Sequence, residues 1–118
     1  ESVAVERQLL MAKLAAGKFD DVLAAAPILR EKGDATAAPD LLLVGAHLGR
    51  RDALAARKAA QALVARVGKD AFAYNLLAFV EEAAGEVDAA RASYLRALEI
   101  DPAYEGALLN LARLDVAA

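Results

Sequence analysis

Residues that could carry catalytic chemistry are scarce in this chain of 118 residues. It contains one histidine, His47, and no cysteine, so it can form neither a histidine acid–base pair nor a cysteine nucleophile. A metal site would have to be built from carboxylates alone, and Glu81 and Glu82 point to two sides of any helix that contains them. No glycine-rich phosphate-binding motif occurs. We therefore expect no enzyme activity, no metal and no cofactor, and interpret His47 as a partly buried helix residue.

The composition predicts an all-α protein. Alanine, the residue with the highest helix propensity, supplies 32 of the 118 residues. The longest uncharged run has ten residues, Ala71 to Val80, which is too short to span a bilayer. A net charge of −3 gives no reason to expect nucleic-acid binding. Because the chain lacks cysteine, its composition suits either the cytoplasm or a bacterial periplasm or cell envelope.

Turn residues divide the chain into about seven short helices joined by tight connections. Five glycines recur at nearly regular intervals: Gly17, Gly33, Gly49, Gly68 and Gly85. Short connections make neighbouring helices antiparallel. Pro27 interrupts an apolar stretch, and we expect it to kink or end its helix early. The predicted helices are 3–15, 19–32, 37–49, 52–67, 71–84, 87–100 and 105–116.

Segment 71–104 carries a repeat pattern along its whole length. Large, small, turn and breaker residues stand at fixed offsets within it: Tyr74, Leu77, Ala78, Gly85, Ala90, Tyr94, Ala97 and Pro102. The segment resembles the tetratricopeptide repeat (TPR) at these positions and departs from it at Glu81, where the family usually has tyrosine. The same register extends to segments 3–36 and 37–70 with fewer matches, and Arg51 replaces the turn glycine of the latter. We expect a single domain, 1–118, with two degenerate repeats, one clear repeat and a half repeat (105–118) of a longer protein.

The resemblance implies a right-handed superhelix of antiparallel helix pairs, whose first helices line a concave groove. It implies a protein–protein interaction scaffold that binds a peptide or protein segment, with these groove residues: Phe72, Asn75, Phe79, Glu82, Leu109, Asn110 and Arg113. Asparagine amides can both donate to and accept from a peptide backbone, and Arg113 could hold a carboxylate. The alternatives are ordinary packing for the aromatic residues, intramolecular bonding for the asparagines and a solvated charge for Arg113.

A second interpretation is a structural segment of a longer solenoid or a self-associating module. Helix 105–116 has no following helix to cover it, so we expect three leucines on it to be exposed and to support homo-oligomers: Leu108, Leu111 and Leu114. Segment 107–115 also resembles repeats of the large bacterial lipoproteins of exosortase (PEP-CTERM) systems. That likeness implies a bacterial multiprotein assembly, such as an envelope accessory protein for exopolysaccharide export.

Charge is spread unevenly along the chain. Residues 50–69 hold six basic residues and one acid, whereas residues 70–118 hold nine acids and three bases. Such asymmetry can steer a charged partner to one end, or bring the basic end of one copy to the acidic end of another. The simpler interpretation is that these charges are the solvated faces of amphipathic helices.

Overall fold

The computed structural model describes residues 2–117, and this part of the chain is all-α, with no strand. The predicted all-α class is confirmed, and every helix begins and ends within one residue of its predicted bounds. The helices are α1 (Val3–Ala15), α2 (Phe19–Glu31), α3 (Ala38–Gly49), α4 (Ala53–Val67), α5 (Ala71–Ala83), α6 (Val87–Ile100) and α7 (Glu105–Ala117).

One turn geometry recurs at equal spacing along the chain. Gly17, Arg51 and Gly85 have φ angles of 79°, 61° and 82°, in the left-handed region that residues with a Cβ atom avoid. In each turn, the residue after the left-handed one donates its amide to the carbonyl of the residue five positions before that donor. The N···O distances are 2.8 to 2.9 Å. Arg51 adopts this strained conformation because the same helix-ending hydrogen bonds hold it. The repeat register therefore persists where the sequence pattern is degenerate.

The expectation of an early end at Pro27 is wrong, because helix α2 runs past this residue, whereas the expected kink stays a prediction. Helix α2 continues through Pro27 to Glu31. Proline lacks an N–H, which leaves the carbonyl of Leu23 without its intrahelical donor. Because Pro27 lies on the exposed side of α2, water can hydrate that carbonyl, and the helix tolerates the lost bond.

The chain falls into two compact units, one up to Ala59 and one from Ala60 onward. In the first unit α2 packs against α1 and α3. Its core includes Leu10, Val22, Ala26, Leu29, Leu42 and Ala46. In the second unit α6 packs against α5 and α7. Its core includes Ala71, Ala78, Ala90, Tyr94, Ala97, Ala107 and Leu114. The expectation of a single domain stays a prediction.

A buried carboxylate joins helix α1 to the loop between α2 and α3 in the first unit. Asp34 is 2% exposed. It accepts hydrogen bonds from Arg7 Nε at 2.8 Å, from the Thr36 amide at 2.9 Å and from Thr36 Oγ1 at 2.5 Å. The Arg7 guanidinium is the main cause that lowers the pKa of Asp34 to about 2, and Thr36 adds to the effect against the opposing influence of burial.

Candidate functional site

All seven predicted groove residues lie on two helices of the second unit, α5 and α7, which contact each other. We call this set the α5–α7 surface: Phe72, Asn75, Phe79, Glu82, Leu109, Asn110 and Arg113. Gly106 permits the close approach of the two helices, because a Cβ atom there would lie 3.3 Å from Asn75 Nδ2 and 3.1 Å from the Tyr104 ring. The absence of a side chain at Gly106 therefore helps position Asn75 beside α7.

Two amides meet across the helices. Asn110 Nδ2 donates to Asn75 Oδ1 at 3.3 Å, and both side chains are half-buried. This geometry corresponds to the intramolecular bonding considered as the alternative for the asparagines. Each amide has both donor and acceptor atoms, and one bond between the two uses only part of that capacity. The pair is therefore held in place and retains polar atoms suited to a peptide backbone.

A second polar contact joins Glu82 to Arg113. Arg113 donates through Nη1 to Glu82 Oε2 at 2.5 Å and through Nη2 to Oε1 at 2.9 Å. The Tyr94 hydroxyl also donates to Glu82 Oε1, at 2.9 Å. The Arg113 hydrogen bonds are the main cause that lowers the pKa of Glu82, and Tyr94 contributes as well. The guanidinium proposed to hold a ligand carboxylate therefore already holds one from its own chain.

Apolar side chains flank these polar pairs. Phe79 is 46% exposed and Leu109 is 64% exposed, whereas Phe72 is half-buried. Phe79 and Leu109 therefore present apolar surface to solvent on α5 and α7. An apolar area with a few fixed polar groups is the usual composition of a binding surface.

The residues expected to support self-association divide into exposed and buried positions. Leu108 is 46% exposed. Leu111, however, packs partly buried against the second core, and Leu114 belongs to that core at 5% exposure. The expected exposure is therefore wrong for Leu114 and only partial for Leu111, because α7 turns that face toward α6. The exposed face of α7 instead carries Val116, at 88% exposure.

Sequence reasoning missed two polar contacts between α5 and α6. The sequence pattern assigns Tyr94 only to packing, yet its hydroxyl orients Glu82. Glu81, which departs from the family pattern, is buried and accepts a hydrogen bond from Ser93 Oγ at 2.6 Å. Both contacts join residues 12 positions apart across the hairpin. A search for polar pairs at that spacing would have found them.

Residues 2–117 contain no group of three histidine, cysteine or acidic side chains that could hold a metal ion. Within the same residues, every helix falls short of the length or apolarity needed to cross a membrane.

The similarity of this chain to known proteins lies in its structure. No family model matches the sequence, and no curated protein matches it. Among solved structures, the chain is similar to the first TPR domain of Spaghetti (RPAP3), which was solved bound to the HSP90 peptide SRMEEVD. That likeness has a TM-score of 0.76 at 17% sequence identity and covers 98% of this chain and 91% of the other. The seven helices of the described residues, with a turn that recurs at equal spacing, thus have the tetratricopeptide-repeat fold.

Proposed function

We propose that this chain is a protein-interaction module that binds a peptide segment of a partner across the α5–α7 surface. The observation that carries the proposal is the exposure of Phe79 and Leu109 beside the bonded amides of Asn75 and Asn110. A binding role without catalysis suits this surface. The structural neighbour supports the proposal at the level of the fold, because that TPR domain was solved with a peptide bound.

Each part of the surface has a role in this proposal. Apolar side chains of the partner cover Phe79 and Leu109 and remove their surface from water, which supplies most of the affinity. The asparagine amides hydrogen-bond the partner backbone and set its position. The Glu82–Arg113 pair borders the apolar area and remains internally neutralised.

Selection from a random library of 12-residue peptides, displayed on phage, tests the proposal. We expect the parent protein to enrich peptides that lose about 5- to 30-fold in affinity on Phe79→Glu or Leu109→Glu, since a buried contact residue contributes about 1–2 kcal/mol. Leu95→Glu is the matched control, because Leu95 is 48% exposed on α6, outside the surface. Circular dichroism establishes that each variant is folded.

Unchanged binding to the surface variants would contradict the proposal. If the enriched peptides bind the Phe79→Glu and Leu109→Glu variants as tightly as the parent, the α5–α7 surface is not the binding site. Weaker binding to the Leu95→Glu control alone would place the site on α6.

A second candidate function is that of a self-associating structural module. Leu108 and Val116 support it, because both are exposed apolar residues on α7, and exposed apolar patches favour association. We expect the mass measured by light scattering to rise with concentration for the parent, and to stay at the monomer value for the double variant Leu108→Glu, Val116→Glu. A parent that stays monomeric at high concentration contradicts this candidate.

We propose a bacterial multiprotein assembly as the context, and the resemblance of segment 107–115 to repeats of exosortase-system lipoproteins is its support. The identity of the genes that neighbour the coding gene on its chromosome tests this setting.

A further inference from the structure

The arginines of the C-terminal helices are occupied by carboxylates of the same unit. From residue 70 onward the described chain contains three basic residues, and each is ion-paired: Arg91 with Asp115, Arg96 with Glu99 and Arg113 with Glu82. The Arg96 guanidinium also lies over the Tyr74 ring, 5.6 Å from its centroid. The cationic groups carried by α6 and α7 are therefore committed to internal contacts.

Acidic residues outnumber these arginines. Residues 70–118 contain nine acids against three arginines, which leaves a formal net charge of −6. Arg66 and Lys69 also belong to the second unit and lie before α5, which leaves the unit as a whole at −4. A net charge of this sign attracts cationic segments and repels anionic ones as they approach.

Arg113, the one cationic residue of the α5–α7 surface, is ion-paired with Glu82. The Glu82 side chain is 20% exposed and is held by both nitrogens of the Arg113 fork and by the Tyr94 hydroxyl. An incoming carboxylate would have to displace Glu82 from this bidentate pair. The displaced Glu82 would then lie beside the ligand anion, and two like charges at that distance repel each other.

The apolar residues beside the Glu82–Arg113 pair can contact a ligand through uncharged groups. Phe79 and Leu109 offer exposed apolar surface, and the Asn75–Asn110 pair offers neutral polar atoms. A segment that places aliphatic or aromatic residues on this area and lysine or arginine beside them would match both the apolar contacts and the net negative charge of the second unit.

We infer that the partner segment taken by the α5–α7 surface is apolar and basic, and that acidic segments are excluded because Glu82 neutralises Arg113. This inference rests on the proposed function and defines the chemistry of its ligand. The occupant is a basic, apolar stretch of another protein.

The composition of the selected peptides provides the first test. The random 12-residue library is expected to yield peptides enriched in aromatic or aliphatic residues with lysine or arginine, and depleted in aspartate and glutamate. A selected peptide resynthesised with glutamate in place of its basic residues is expected to bind at least tenfold more weakly. Affinity for the basic peptide should fall as salt concentration rises, since exposed charges are screened.

A charge-neutral replacement of Glu82 provides the second test. Glu82→Gln releases Arg113 and removes one negative charge, so we expect the basic peptide to bind about fivefold more weakly and its glutamate version about fivefold more tightly, a change of about 1 kcal/mol in each case. Glu99→Gln is the matched control, because it makes the same charge change and releases Arg96 on α6. It should alter either affinity less than twofold.

The possible results separate the inference from the proposed function. Acidic peptides that are enriched, and that lose binding on Phe79→Glu, would overturn the inference and leave the proposed function standing. The absence of any peptide whose binding depends on Phe79 or Leu109 would overturn both. Equal effects of Glu82→Gln and Glu99→Gln would overturn the role given to Glu82.

Discussion

Replacing Tyr94 by alanine is expected to lower the free energy of unfolding by about 3–5 kcal/mol. Tyr94 is fully buried and has the largest volume among the fully buried side chains of the described residues. Its neighbours in the second core include Ala78, Ala90 and Ala97. Alanine side chains end at Cβ and cannot move into the cavity that the ring would leave. The loss of stability should therefore lie near the upper end of the range for such substitutions. Urea unfolding followed by helical circular dichroism measures the change.

Tyr94→Phe is the matched control for this prediction. It keeps the ring in place and removes only the hydroxyl that donates to Glu82. The expected cost is about 1.5–3 kcal/mol, the value of one hydrogen bond to a charged acceptor. If Tyr94→Ala costs no more than Tyr94→Phe, the ring does not fill the core of the second unit in the way described.

The ion pair between Arg7 and Asp34 is expected to give the second largest effect. Arg7→Ala leaves a buried carboxylate without its cation, and we expect a loss of about 2–3 kcal/mol at neutral pH. This value lies below that of a fully buried pair because the Arg7 side chain is 26% exposed. Asp20→Asn is the control, since it removes the partner of Arg50 at a carboxylate that is 81% exposed. An exposed pair of this kind contributes at most about 1 kcal/mol.

The same carboxylate makes stability depend on pH in a defined window. The pKa of Asp34 is about 2 in the folded protein and 3.8 in the ordinary case. A lowered folded pKa stabilises the protein above pH 3.8, and that contribution disappears as the pH falls from about 4 to about 2. After allowance for screening at the exposed side of Arg7, the contribution is about 1–2 kcal/mol.

Unfolding of the parent and of Asp34→Asn at pH 7, 4 and 2 measures this contribution. The variant cannot titrate at this position, so its difference in stability from the parent should shrink as the pH falls below 4. Other carboxylates titrate in the same range in both proteins and cancel in the comparison. A difference that stays constant from pH 7 to pH 2 would contradict the assigned pKa of Asp34.

Local sequence patterns determined the helices and their register. Glycine spacing and apolar periodicity located all seven helices within one residue, because helix ends depend on residues close by in the chain. The pattern of residues 71–104 identified the repeat, and the left-handed turn at Arg51 shows the same register where glycine is missing. The helix that contains Pro27 also ends within one residue of its predicted end.

Only the tertiary structure decided how the surface residues are used. The sequence placed Glu82 and Arg113 on the predicted groove. It did not indicate that these two residues, 31 positions apart, neutralise each other. It also placed Leu114 on an uncovered face, whereas packing against α6 buries it. Periodicity identifies the residues that share a face of one helix. The rotation of each helix against its neighbours depends on side-chain packing between them, and that packing determines which charges pair and which apolar residues remain available to a partner.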